Sequence, residues 1–209
     1  MAFFKTLKSA FSLLAKGDWR EFYIRTLIVL GRLDLKTITV GDLNLSPERS
    51  HSYSDSGRDD LQKVLAGLDI HKGDAIIDFG CGKGGALITL AAYPFAKITG
   101  VEISKDLAEI AQKNLARLKI SKVEVVCCDA TEFLALDDYN YVYMFNPFPC
   151  PVLRSVMENI TQSLRDRKRR ITIIYLNPEC HETIISQGIF QKVKEVAHSS
   201  HKFYIYANL

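Results

Sequence analysis

The stretch Ile76-Ile-Asp-Phe-Gly-Cys-Gly-Lys-Gly-Gly85 constrains this chain more than any other. An apolar run, Ala75–Phe79, meets glycines at 80, 82, 84 and 85, and an apolar helical pattern follows as far as Tyr93, stopped by Pro94. Glycines at such a junction supply backbone conformations closed to other residues and let a second backbone or a ligand come close. A buried strand, a tight turn and a helix make the first half of a βαβ unit, which commits the chain to a parallel sheet.

The same alternation continues. Lys97–Val101, Val123–Cys127, Tyr141–Phe145 and Ile171–Leu176 read as strands, with helices predicted over Lys105–Leu118, Pro151–Leu164 and Glu179–Ser186. Phe190–His198 and Lys202–Ala207 read as two last strands, close enough to pair as a hairpin. The expected fold is α/β: a doubly wound, mostly parallel seven-stranded sheet with an antiparallel C-terminal strand and helices on both faces. Ahead of it, Phe3, Phe4, Leu7, Ala10, Phe11 and Leu14 recur at three- and four-residue steps, and Trp19, Phe22, Tyr23, Thr26, Leu27 and Leu30 repeat the spacing. That predicts two amphipathic helices, the second capped by Asp18, with their apolar faces packed on the core; a lid, a dimer contact or a membrane-surface anchor stays open as their role. Residues 36–58 are a polar connector and Asp59–Leu68 a helix. The expected division is a helical extension and connector over residues 1–58 and the α/β domain over 59–209.

Composition narrows the class. With 209 residues, 47% hydrophobic and 24% charged, the chain is neither collagenous nor disordered and needs no staples for its core. No run approaches the ~18 apolar residues of a membrane span, and no apolar core of a secretory signal is visible. The five cysteines are odd in number and include the adjacent Cys127 and Cys128 but no C-x-x-C pair, which points to reduced thiols in a cytoplasmic protein. His181, His198 and His201 lack ligand spacing, so no metal is expected. Residues 1–36 hold seven Lys/Arg and three acids, net +4, while the remainder holds 20 and 21, net −1. Arg165-Asp-Arg-Lys-Arg-Arg170 reads as a solvated loop, and the overall charge is too small to imply a nucleic-acid partner. Cys81 is expected to pack and Lys83 to stand exposed. The spacing leaves oligomeric state open.

Gly80, Gly82 and Gly85 satisfy G-x-G-x-x-G, and Glu102 follows Gly80 by 22 residues, where an acid could bind ribose hydroxyls. NAD fits that pattern. Asp78 argues against it: a carboxylate beside a pyrophosphate repels it by roughly 1–4 kcal/mol at ~4 Å. A sulfonium and an ammonium would instead be attracted.

With Asp78-x-Gly80-x-Gly82-x-Gly84 in place, residues Asp74–Leu209 resemble the class I, seven-stranded S-adenosylmethionine-dependent methyltransferases. The resemblance implies that Asp78, Gly80, Cys81, Gly82 and Gly84 surround the methionine part of S-adenosylmethionine. It implies that Glu102, with Ile103 beside it, holds the ribose, and that Asp129 and Ala130 meet the adenine. Asn146-Pro147-Phe148-Pro149 stands where the family places its fourth motif and is similar to the [Asn/Asp]-Pro-Pro-[Phe/Tyr] motif of enzymes that methylate planar nitrogen. Asn146, Pro147 and Phe148 are therefore expected at the reacting centre, with Asn146 also able to touch the cofactor. The family pattern is altered at its last two places, where Phe148 replaces a proline and Pro149 the aromatic residue. Nitrogen, including a protein side chain, is favoured as acceptor. An oxygen acceptor on a metabolite or sugar, a non-catalytic binding module and an NAD oxidoreductase stay open. His51, Tyr53 and Ser54 are candidates for a lid.

Overall fold

A computed structural model describes residues 18–38, 58–198 and 201–208. The first predicted helix and the His51–Gly57 lid segment lie outside the described residues. In chain order the elements are α1 (Trp19–Val29), α2 (Arg58–Ala66), β1 (Ala75–Phe79), α3 (Gly85–Leu90), β2 (Lys97–Glu102), α4 (Lys105–Arg117) and β3 (Val123–Cys127). Then follow β4 (Tyr141–Phe145), α5 (Cys150–Asp166), β5 (Thr172–Leu176), α6 (His181–Ile185), β6 (Phe190–His198) and β7 (His201–Asn208).

The strands form one sheet in the order β3-β2-β1-β4-β5-β7-β6. The first five positions run parallel, β7 lies antiparallel to β5, and β6 closes the edge antiparallel to β7. Every residue of β1 is buried, as a central strand covered on both faces requires. Its side chains alternate between two cores. Ile76 joins Leu61, Leu87, Tyr143 and Ile205 on one face, and Ile77 and Phe79 join Met144, Met157, Ile173 and Tyr206 on the other. Strand order reverses between β1 and β4, so the crevice at their carboxyl ends is where an open sheet of this kind takes its ligand.

Asp18 caps α1 as expected, accepting from Glu21 N at 3.0 Å. Of the face expected to be buried by α1, Leu27 is buried but Trp19, Tyr23 and Leu30 are not. Ile24 and Leu27 enter the core with Glu21 beside them, whereas Trp19, Tyr23 and Leu30 face outward. The helix is apolar on both sides, so three- and four-residue spacing alone could not choose between them. Buried Glu21 accepts from Arg25 Nε at 2.9 Å, and Arg25 also reaches Asp59 at 2.7 Å, tying α1 to α2.

Two further expectations are corrected. Cys150, the first residue of α5, and Cys180, just before α6, form a disulfide across 30 residues of sequence. The β4–α5 and β5–α6 turns meet at the same end of the sheet, a proximity no spacing rule reveals. Closing a loop of this length stabilises the fold by about 3–4 kcal/mol in the chain-entropy treatment. Thiol reductant should therefore lower the melting temperature, and a Cys150→Ser/Cys180→Ser variant should melt at the reduced temperature and ignore reductant. In the 165–170 run, Arg169 is no solvated residue. Its guanidinium donates to the carbonyls of Tyr139, Leu136 and Ser163 at 2.7, 2.8 and 3.1 Å, closing the end of α5 against the neighbouring loop.

Candidate functional site

The crevice is built from the two turns flanking the strand-order reversal. After β1 the chain doubles back, and the N–H groups of Gly80 and Cys81 both donate to Val101 O, at 2.8 and 3.0 Å. Gly80 has φ +75°, and a Cβ there would stand 2.3 Å from Pro147 Cβ on the β4 turn. The glycine lets the two turns touch. Gly100 on β2 does a similar service for the loop: a Cβ there would meet Leu87 Cδ1 at 2.6 Å and Cys81 Sγ at 2.7 Å. The glycine pattern did not include Gly100, because its role depends on the neighbouring strand.

Three carboxylates gather around this turn. Asp78 is only 2% exposed, and its Oδ2 has no hydrogen-bond partner. Burial, and then the charge of Glu102, push its pKa well above the ordinary carboxylate range. Glu102 is also buried, which raises its pKa, while backbone N–H groups act against that rise. Its Oε2 accepts from Gly82 N at 2.8 Å and its Oε1 from Ser104 N at 2.9 Å, so it braces the glycine loop. Asp129 Oδ1 accepts from the N–H and hydroxyl of Thr131, at 2.9 and 2.7 Å, in a local turn.

A small crevice opens between the turns. Of the residues picked from sequence, Gly80, Glu102, Ile103, Asp129, Ala130, Pro147 and Phe148 line it. Asp78, Cys81, Gly82, Gly84 and Asn146 do not. Val101, Cys128 and Val152 complete the wall and carry no sequence signal, being ordinary apolar or small side chains. Among the described residues no Lys or Arg lines the cavity. Phe148 stands on the same wall as Glu102 and Asp129, with its ring among core residues. Asn146 is buried beside this wall with φ +35°, and its Oδ1 accepts from the Tyr175 hydroxyl at 3.1 Å. Burial raises Tyr175 to about 12, so it remains a donor throughout the physiological range.

Lys83, expected to be exposed, is 1% exposed. Its ammonium meets Asp34 Oδ1 at 2.8 Å. Asn114 of α4 fastens the same join, accepting from Asp34 N at 3.1 Å and donating to Asp34 O and Lys83 O at 2.9 and 3.0 Å. The segment after α1 is thereby tied to the glycine loop, 49 residues on in sequence. Burial pushes the Asp34 pKa up, but the hydrogen bonds from Lys83 and Lys36 N outweigh it and leave the pKa below its ordinary value. Stability from a depressed acid is present above the unfolded pKa and is lost as pH falls through the folded one. Asp34→Asn should destabilise by about 1–2 kcal/mol at pH 7, a figure discounted because the carboxylate is half exposed. In urea unfolding the gap between the two proteins should close as pH drops below the carboxylate range.

Among the described residues no group of three or more His, Cys, Asp or Glu is placed to hold a metal ion, and no helix is long and apolar enough to cross a membrane.

A family model described as a methyltransferase domain matches residues 76–167. Over 124 residues the chain is 23% identical to a probable cobalt-precorrin-6B C(15)-methyltransferase (decarboxylating) of Methanococcus maripaludis, covering 59% of this chain and 54% of that protein. Over 146 residues it is 30% identical to a histone-lysine N-methyltransferase, H3 lysine-79 specific, of Dictyostelium discoideum, covering 61% of this chain and 8% of that protein. The chain thus spans about half or less of the curated relatives it matches. Its fold is shared with an RNA methyltransferase from Salinibacter ruber solved with S-adenosyl-L-homocysteine, at TM-score 0.54 and 18% identity over 71% of this chain and 89% of that one.

Proposed function

Because this chain belongs to the class I S-adenosylmethionine-dependent methyltransferase family, we propose that it carries a methyl group from S-adenosylmethionine to a nitrogen acceptor at the crevice between β1 and β4. The observation that carries the reading is the unpartnered Asp78 Oδ2, buried next to Glu102 at a cavity whose lining, among the described residues, holds acids and no Lys or Arg. Such a site suits a ligand with positive charge and hydroxyls and repels a pyrophosphate. The residues fit the cofactor: Asp78 to its cationic end, Glu102 and Ile103 to its ribose, Asp129 and Ala130 to its adenine, with Phe148 bordering it. Gly80, Cys81, Gly82 and Gly84 shape the loop around it.

When bound, S-adenosylmethionine supplies an electrophilic methyl on a sulfonium. The chain's part is then positional. Asn146 Oδ1, steadied by Tyr175, accepts an N–H of the acceptor and so aims the nitrogen lone pair, while Pro147 holds the turn against Gly80. Fixing two reactants in this way can remove about 7–11 kcal/mol of barrier. Asn146→Ala should lower turnover tenfold or more and change the affinity for S-adenosylhomocysteine less than threefold. Nitrogen as acceptor rests on Asn146 alone.

The division into residues 1–58 and 59–209 is retained as a proposal, with α1 as a packed part of the body rather than a loose arm. A cytoplasmic location is part of this reading, supported by the unbridged Cys81, Cys127 and Cys128. The Cys150–Cys180 bridge favours an oxidising compartment, and alkylation of freshly lysed cells followed by peptide mapping distinguishes the two. The function is tested by thermal shift with S-adenosylhomocysteine and with NAD. At 100 times its dissociation constant the true ligand stabilises by about 2.7 kcal/mol. Stabilisation by NAD alone would overturn the reading. Transfer of label from S-adenosylmethionine into a cell extract then identifies the acceptor class.

A further inference from the structure

Helix α1 carries two apolar faces, and among the described residues only one of them is covered. Ile24 and Leu27 seat it on the core, leaving Trp19 68% exposed, Tyr23 52% and Leu30 62%. At 100° per residue these three fall within roughly 40° of one another, so they form one stripe along the outer ridge of a helix roughly 16 Å long.

The stripe has a basic border. Arg20 is exposed on the helix itself, anchored by one nitrogen to Ile88 O at 2.8 Å. Lys122 lies beside it, its pKa lowered by partial burial and by the charge of Arg20. At the other end stand the exposed Arg32 and Lys36, and the Arg117 guanidinium donates to Arg32 O. Among the described residues, Glu21 and Asp59 hold Arg25, Asp34 holds Lys83, and Asp18 caps the helix. The sequence that leads into α1 extends the same character. Residues 1–17 contain Lys5, Lys8 and Lys16 with no acid, and Phe3, Phe4, Leu7, Ala10, Phe11 and Leu14 at helical spacing.

We propose that the Trp19–Tyr23–Leu30 ridge, with its border of Arg20, Arg32, Lys36, Arg117 and Lys122, is a peripheral docking surface for the anionic headgroup layer of a lipid bilayer. Amphipathic aromatic rings settle at the boundary between headgroups and acyl chains, while long basic side chains lay their stems on apolar surface and keep their charges among phosphates. Each Lys or Arg near an anionic leaflet adds attraction that falls off within a Debye length. The charge pattern argues against a second copy of the chain. A two-fold contact through this ridge would set one basic border against another, and like charges across an interface are repulsive. The surface is separate from the cavity between β1 and β4, so it does not depend on the methyl-transfer reading.

The test exploits the chain's single tryptophan, Trp19. Its emission is followed in the full chain while vesicles of phosphatidylcholine alone, or of phosphatidylcholine with 30% phosphatidylglycerol, are titrated in. The expected result is a saturable blue shift and flotation with the anionic vesicles. Affinity should be at least tenfold weaker for phosphatidylcholine alone, and also weaker at 0.5 M salt. A Tyr23→Ser/Leu30→Ser variant keeps the probe and should lose at least tenfold in flotation while binding S-adenosylhomocysteine as the parent does. Three results would overturn the proposal: no shift and no flotation with anionic vesicles, a shift that grows with protein concentration in the absence of lipid, or undiminished flotation of the double variant.

Discussion

Asp78→Asn should leave the protein folded and at least as stable, yet weaken its affinity for S-adenosylhomocysteine about a hundredfold, near 3 kcal/mol. The two effects separate because of where the carboxyl sits. In the free protein Asp78 is buried next to Glu102, and both conditions favour its protonated form. Asparagine mimics that form in size and lacks the charge, so folding loses little. A raised acid contributes stability that is fully present below its unfolded pKa and falls away as pH climbs toward the folded value. The wild-type protein should therefore lose stability across that window, and the variant should lose less, since Glu102 alone remains raised. Ligand binding should run the other way. The ammonium of the ligand's amino-acid end draws Asp78 into its ionised form, so affinity rises with pH and binding releases a proton. Calorimetric titration between pH 5 and pH 8 in buffers of different ionisation enthalpy measures both. A pH-independent wild-type affinity, with no proton release, would remove Asp78 from the role of cation partner.

Gly80→Ala should be strongly disruptive. An added methyl carbon would stand 2.3 Å from Pro147 Cβ, and the backbone has φ +75°. The left-handed conformation alone costs an alanine roughly 1–2 kcal/mol, and the overlap adds about 1–3 kcal/mol of overpacking. Pro147 cannot yield easily: its ring is rigid, and Asn146 before it is itself at φ +35°. A destabilisation of about 2–5 kcal/mol is expected, with cofactor binding lost as the two turns are driven apart. Gly73→Ala is the matched control, since nothing lies within 4 Å of its added carbon and its φ is not positive. That change should stay within about 0.5 kcal/mol in denaturant unfolding. Equal behaviour of the two variants would mean that the contact between the β1 and β4 turns does not govern the site.

Much of the architecture was legible along the chain. Strands β1, β3, β4 and β6 begin and end where alternation and turn residues place them. Helix ends were less sharp: α3 stops at Leu90, short of the Pro94 signal. Glycine at 80, 82 and 84 and acids at 78, 102 and 129 were visible because each occupies a strand end, and strand ends recur at regular intervals in a parallel sheet.

What sequence by itself determined is therefore the order of elements, the parallel sheet and the acidic crevice at its carboxyl edge. These follow from periods of two and 3.6 residues and from glycines at fixed offsets, which depend only on near neighbours in the chain. Only the tertiary structure decided which face of α1 is buried and that Lys83 is held inside by Asp34. It alone also brought Cys150 to Cys180 and left Asp78 Oδ2 without a partner. Each depends on a group tens of residues away, brought close by crossovers whose path local periodicity does not encode.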